Sequence, residues 1–325
     1  MRPIARFRWI AVALLAAGVV FPPVASAQAR YYWKSLSGAN VVPVIFESLS
    51  GNANPANPAM TVMPGASFSG TLGMAGYGRM FSLFDRAAFA ALIVPMGRVS
   101  GEVNAFGVTG FQSASGFGDP MVELVVNVVG PRAQNTLADV ARYEPGFSLD
   151  VLADLAFPIG QYSSSQALNL GQHRWYGRIG LPIVWQIGPW VPGQRTTVEA
   201  LPAMWWFAAN TDYLGKTLTT NVLFQLDAHV TRDLTASLWV SLDALWYLGG
   251  AATFDGVTGD KLNNFGIGAT AGYQITENLG LTASYMKLVS SGSPNSLQMD
   301  RFMVSLIYGW HSLVEGARRL EENKK

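Results

Sequence analysis

Charged and imidazole side chains recur at every second or fourth position in this chain, the spacing that puts them on one side of an extended backbone. Asp150 with Asp154, Arg174 with Tyr176 and Arg178, and Asp227 with His229 form such sets. Glu123, Glu199, Asp243 and Lys287 alternate with apolar neighbours in the same way. Gathered around a narrow enclosure, these groups can pair into a salt-bridged filling, or some of them can border a passage. Trp205, Trp239 and Tyr176 fall on the same inferred side. An aromatic ring there can stack on a flat apolar molecule.

Catalytic chemistry has little to stand on. The chain has three histidines, His173, His229 and His311, and no cysteine. They are far apart and lack the carboxylate spacing of a metal site, and without thiols there are no disulfides or thiolate centres. No G-x-S-x-G elbow occurs. Gly266-Ile267-Gly268-Ala269-Thr270-Ala271 matches the dinucleotide pattern formally. That motif needs a helix after it, and here the pattern stays extended to Tyr273, so these glycines read as thinning a sheet wall. No enzyme activity, metal or cofactor is expected.

The elements that must carry these residues are strands. Over Thr219 to Val230, polar Gln225, Asp227 and His229 oppose Phe224, Leu226, Ala228 and Val230. Over Thr235 to Trp246, Trp239, Ser241 and Asp243 oppose Leu238, Val240, Leu242 and Ala244. Ser148 to Phe157 and Arg174 to Trp185 sort equally well. Each stretch has about the 9–11 residues of a tilted membrane-spanning strand. Connections alternate in length, with turns at Asp85-Arg86, Thr231-Arg232-Asp233 and Glu277-Asn278. Longer links run over Ser50 to Pro64, Arg98 to Gly116, Gly160 to Gly171, Gly249 to Asn263 and Ser290 to Asp300. Gly130 to Gly146 is long on the short-turn side, with a short helix near Thr136 to Arg142. The Arg98 to Gly116 loop, with Phe106 and Phe111, either folds inward as a constriction or stands outside; the residues weigh the two equally. The compact apolar run Ala87 to Met96 reads as a strand, because Pro95 is awkward inside a helix.

Residues 1–27 have the form of a cleaved signal peptide. Arg2, Arg6 and Arg8 precede an apolar run from Trp9 to Phe21, and Ala25-Ser26-Ala27 is a small-x-small cleavage pattern. Beyond it no run reaches the ~18 consecutive apolar residues of a spanning helix. Yet 50% of the chain is hydrophobic, only 13% is charged and 34 residues are glycine. Soluble domains carry about twice that charge. An exported apolar chain without spanning helices has a closed β-barrel as its way into a membrane. The expected fold class is all-β, a transmembrane antiparallel up-and-down barrel of about 12 strands. Residues 28–310 form it, and a charged periplasmic tail, 311–325, follows as a solvated helix or a disordered end. Trp175, Trp185, Trp206, Trp246, Tyr273 and Trp310 fit interfacial girdles. The near-balanced charge gives no reason for a nucleic-acid partner.

Three motifs add a resemblance. Gly116-Phe117-Gly118-Asp119-Pro120 enters a strand, Phe157-Pro158-Ile159-Gly160-Gln161-Tyr162 opens a loop, and Leu168-Asn169-Leu170-Gly171-Gln172-His173-Arg174-Trp175 leads into the next strand. In this order they resemble the outer-membrane family named for a phenol-degradation meta-pathway transporter, over roughly residues 40 to 310. The resemblance implies an outer-membrane barrel related to hydrophobic-compound channels and proposed to pass aromatic compounds inward. One departure is the run of residues after Trp310, since such barrels commonly finish on an aromatic residue read by the insertion machinery.

The expectation is therefore a passive channel in the cell outer membrane for small apolar or aromatic solutes. Its partners are outer-membrane lipid, the solute and the insertion machinery. Its solute-pathway candidates are Tyr176, Trp205, Trp239, Phe106, Phe111, Asp150, Asp154, Arg174, Arg178, Glu199, Asp227, His229 and Asp243. The alternatives are a plugged structural or adhesion barrel and an outer-membrane lipid hydrolase. The hydrolase needs a Ser–His pair on the lipid face, whereas His229 falls on the inner one.

Overall fold

The structure is a computed structural model that describes residues 28–105, 108–289 and 295–322. The signal-peptide region, Phe106 and the last three residues of the tail lie outside the described residues.

The first strand, β1 (Asn40–Gly51), alternates buried and exposed positions. β2 (Ser67–Leu83) and β3 (Arg86–Ala105) form a long hairpin. Its turn residues Phe84 and Asp85 both have positive φ, which gives the type I′ twist that suits a two-residue hairpin. Ala87 to Met96 lies within β3. β4 (Val108–Phe117) pairs with β3, so residues 98–105 and 108–116 are antiparallel strands rather than an inward loop. Its Phe111 is 69% exposed and makes no constriction. Gly and Ser dominate this stretch and hide its alternation.

β5 (Met121–Val129) leads to helix α1 (Leu137–Ala141), capped by Thr136 and Asp139 in a reciprocal capping box. β6 (Phe147–Ala156) follows, then β7 (Tyr176–Gly180) and β8 (Ile183–Ile187), which together make one wall strand broken at Leu181-Pro182. β9 (Thr196–Phe207) rises to a small hairpin, β10 (Asn210–Tyr213) and β11 (Lys216–Thr220). β12 (Leu223–Asp233) and β13 (Leu238–Gly249) come next. The expected turn at Thr231-Arg232-Asp233 is displaced to residues 234–237, because Asp233 continues the inward series 227, 229, 231, 233.

β14 (Ala252–Phe254) and β15 (Val257–Thr258) join β10 and β11 in a separate small sheet. β16 (Leu262–Gln274), β17 (Leu279–Val289) and β18 (Met299–Trp310) complete the wall, and helix α2 (Ser312–Glu322) forms the tail. β18 pairs with β1 from Asn40↔Trp310 to Gly51↔Met299, and β12 pairs with β9, which closes a barrel of 12 antiparallel wall strands. Closure leaves the wall no free edge.

The outer surface is what a lipid-facing wall requires. Leu242 is 72% exposed, and Ile267, Phe302, Leu124, Ile179 and Phe46 are exposed at alternate positions on other strands. Trp175, Trp185, Trp206 and Tyr273 face outward among them. Lys287 also lies on the outer face, paired with Asp300 at 3.1 Å. Its expected inward direction is therefore wrong: Met286 takes the inner position, and Lys287 sits near the barrel rim.

Candidate functional site

The inner wall brings the alternating polar residues together. Asp150 and Asp154 of β6, Arg178 of β7, Glu199 of β9, Asp227 and His229 of β12 and Asp243 of β13 are all buried. Arg178 pairs with Asp154 at 2.7 Å and approaches Glu123 at 3.9 Å. His229 Nδ1 lies 2.7 Å from Asp243 Oδ1, and Ser241 and Thr270 donate to the same carboxylate. Gln225 donates to Asp227 and accepts from the Trp205 indole. Among the described residues no group of three or more His, Cys, Asp or Glu is placed to hold a metal.

The lumen is occupied by a segment whose role the sequence did not reveal. Residues 28–38, ahead of β1, cross its short-turn half as a strap. Gln28 contacts Thr282 and Ser305 on one side of the barrel. Arg30 Nη1 pairs with Asp233 at 2.7 Å, and its backbone N–H donates to Glu199. The Arg30 guanidinium stacks on both Trp33 and Trp239, 4.4 Å from each ring. Tyr31 donates to Glu123, Trp33 donates to Glu199, and Lys34 pairs with Asp150 on the far wall. The strap leaves through Leu36 and Ser37, where Gln134 and His311 hold it. Much of the wall's inner charge is thus met by this segment. A cluster of aromatic and basic residues, Arg30 to Lys34, with no period and just before the first strand, is the signal that could have revealed it.

The barrel floor under Trp239 is glycine. A Cβ at Gly272 would stand 2.1 Å from that ring, so the ring, and the Arg30 stacked on it, need a residue with no side chain there.

The opposite end is covered by loops that bind one another. Asn54 donates to the Asn169 carbonyl, Gln112 accepts from the backbone of Ala167 and Leu168, and Tyr162 donates to the Asp212 carbonyl. Asp119 of the Gly-x-Gly-Asp-Pro motif accepts from the backbone of Gly160 and Gln172, so this motif ties the three matched segments together. Gly160 has no room for a Cβ against Gly118 and Asp119. Burial pushes the Asp119 carboxyl above its ordinary value, and these two N–H donors act against that shift.

At the loop end three aromatic rings, Tyr176, Trp205 and Phe207, pack as a triangular cluster with centroids 6.3–6.5 Å apart. Arg174 sits 4.9 Å over Phe207, Phe207 stacks near Tyr176 and Trp205, and Arg178 sits 4.9 Å over Trp205. Trp205 is fully buried. Of the solute-pathway candidates, Tyr176, Trp205, Trp239 and the inward charged residues gather in the lumen, Arg174 lies at its loop end, and Phe111 stands away from it.

Residues 48–306 match the family described as "Putative MetA-pathway of phenol degradation", and the chain belongs to that family. The COG4313 outer membrane channel from Pseudomonas putida F1 has a similar structure, with a TM-score of 0.67 and 18% identity over 90% of this chain and 100% of that one. The beta domain of the Bordetella autotransporter BrkA scores 0.47 at 11% identity, covering 84% of this chain and 99% of its own. A KdgM porin in complex with oligogalacturonate scores 0.43 at 8% identity, covering 83% and 99%. The first of these shares the barrel fold; the other two are too dissimilar to argue from. No curated protein matches the chain.

Proposed function

We propose that the protein is a passive outer-membrane channel for small hydrophobic or aromatic compounds, closed at rest by its N-terminal strap and its outer loops. In this reading the short-turn end faces the periplasm, the loop end faces outside, and a signal peptide ending at Ala27 directs export. The observation that carries it is the aromatic cluster Phe207, Tyr176 and Trp205 on the inner wall at the loop end. Such a cluster gives a flat apolar solute a stacking surface. Downhill flux needs no energy-coupling residue. The solved relative described as an outer membrane channel supports the reading at the level of fold.

The strap is a non-covalent obstruction. A barrel of this size can be filled by its own side chains, yet here a single separate segment provides much of the blockage and can leave as one unit. The test is entry of labelled phenol and toluene into proteoliposomes, with a sugar of similar size and empty vesicles as references. Aromatic entry above the empty-vesicle rate with unchanged sugar entry supports the channel.

A second reading, a plugged structural barrel, is favoured by one observation: Lys34–Asp150 and Arg30–Asp233 bind the strap to two walls at once. It expects no flux of any solute. The lipid-hydrolase reading has no such support, since His229 and Asp243 are buried on the inner side.

A further inference from the structure

At the loop end, a recess is bordered by Asn54, Asn57, Thr61, Asn210, Tyr213 and Arg174. Two of these residues carry buried polar atoms without a hydrogen-bond partner: Arg174 Nη2 and Thr61 Oγ1. Arg174 is 97% buried, being only 3% exposed. Its Nη1 donates to Thr220 at 2.9 Å, and one face of its guanidinium lies over Phe207. Among the described residues no carboxylate lies within ion-pair distance of it: the nearby Asp119 is already bound by the Gly160 and Gln172 backbone. Burial pushes the Arg174 guanidinium down to about 10, so it still carries its proton at neutral pH. A buried cation with a free donor edge, on a recess that a second free donor also borders, is costly unless an acceptor arrives.

We infer that this recess is a binding site for the carboxylate of an aromatic acid, received by Arg174 Nη2 and the Thr61 hydroxyl. Two free donors suit the two oxygens of a planar carboxylate; a phosphate dianion would need more. Met63, Tyr213 and Leu218, also on the recess wall, give the ring of such an acid an apolar surface. The inference rests on the channel reading, because it names the solute class that would meet the aromatic cluster behind Arg174.

The test uses the full mature chain refolded in detergent, with benzoate as probe, followed by saturation-transfer NMR and titration calorimetry. Toluene and inorganic phosphate are the comparison ligands. Benzoate should bind saturably and resist competition by toluene. Arg174→Gln should weaken it about tenfold or more, the worth of one hydrogen bond to a charged group. Thr61→Val keeps the side-chain shape and should weaken it about fivefold, so the site stays testable if the Arg174 variant does not fold. No benzoate binding, equal binding by wild type and Thr61→Val, or tight phosphate binding in its place would overturn the inference; the first of these is also what a bound water alone would give. Toluene entry into proteoliposomes separates the two readings. Flux without benzoate binding ends this proposal alone, and benzoate binding without any flux leaves the site but removes the channel.

Discussion

Arg30 and Asp233 meet at 2.7 Å inside the barrel, although Asp233 already has a wall partner, Arg195, at 2.8 Å. The carboxylate at the end of β12 therefore serves both the wall and the strap. Burial makes the loss of this shared partner costly, because it leaves two guanidinium groups uncompensated. Asp233→Asn should remove both ion pairs and destabilise the barrel by about 3–5 kcal/mol, read as a lower temperature for loss of the folded, fast-migrating band. The same variant should expose the strap to protease. An unchanged melting temperature would mean that the wall holds without this carboxylate.

Lys34 and Asp150 form the second anchor. Asp150→Ala strands the Lys34 ammonium and should raise single-channel conductance several-fold with a modest loss of stability. Lys34→Met combined with the same Asp150→Ala should recover part of that stability, and with the Lys34→Met single variant should give a coupling of about 1–3 kcal/mol in a double-mutant cycle. If Asp150→Ala lowers stability strongly and leaves conductance flat, the plugged structural barrel is the better account.

Gly272→Ala pushes a carbon into the Trp239 ring and should shift both that ring and the Arg30 stacked on it. Limited proteolysis should then cut at Arg30 faster than in wild type. Gly309→Ala, whose added carbon meets only the Asn40 carbonyl at 3.6 Å, is the matched control and should cleave at the wild-type rate.

The tail helix α2 touches the strap exit, with Val314 packed against Leu36. Trp310 ends β18 and pairs with Asn40. Truncation after His311 should leave insertion intact and keep the His311 contact to the Ser37 carbonyl, while loosening the strap. Loss of assembly would show that the tail belongs to the barrel fold.

The wall was legible in the sequence because lipid and lumen impose opposite demands on neighbouring residues. Gln225, Asp227 and His229 against Phe224, Leu226 and Val230 leave β12 one possible orientation. The lumen's polar lining followed from the same rule. Lys287 escaped it because rim positions rise out of the apolar band, where a charge can face outward beside Asp300. The β3–β4 pair escaped because Gly97, Ser100, Gly101 and Ser113 carry no clear alternation. The strap was invisible for a deeper reason. Residues 28–38 have no period of their own, and their partners Asp150, Glu199 and Asp233 are far away in sequence. Arg174 was found by spacing, but its free donor edge depends on three loops meeting, which no local pattern encodes.

The most direct test is toluene entry into proteoliposomes holding wild type or a strap-loosened Arg30→Ala/Lys34→Ala variant, each corrected for empty-vesicle leakage. The channel account predicts entry above background for wild type and a several-fold rise for the variant, with sugar entry unchanged in wild type. Background entry for both proteins, with the variant still folded, would contradict it.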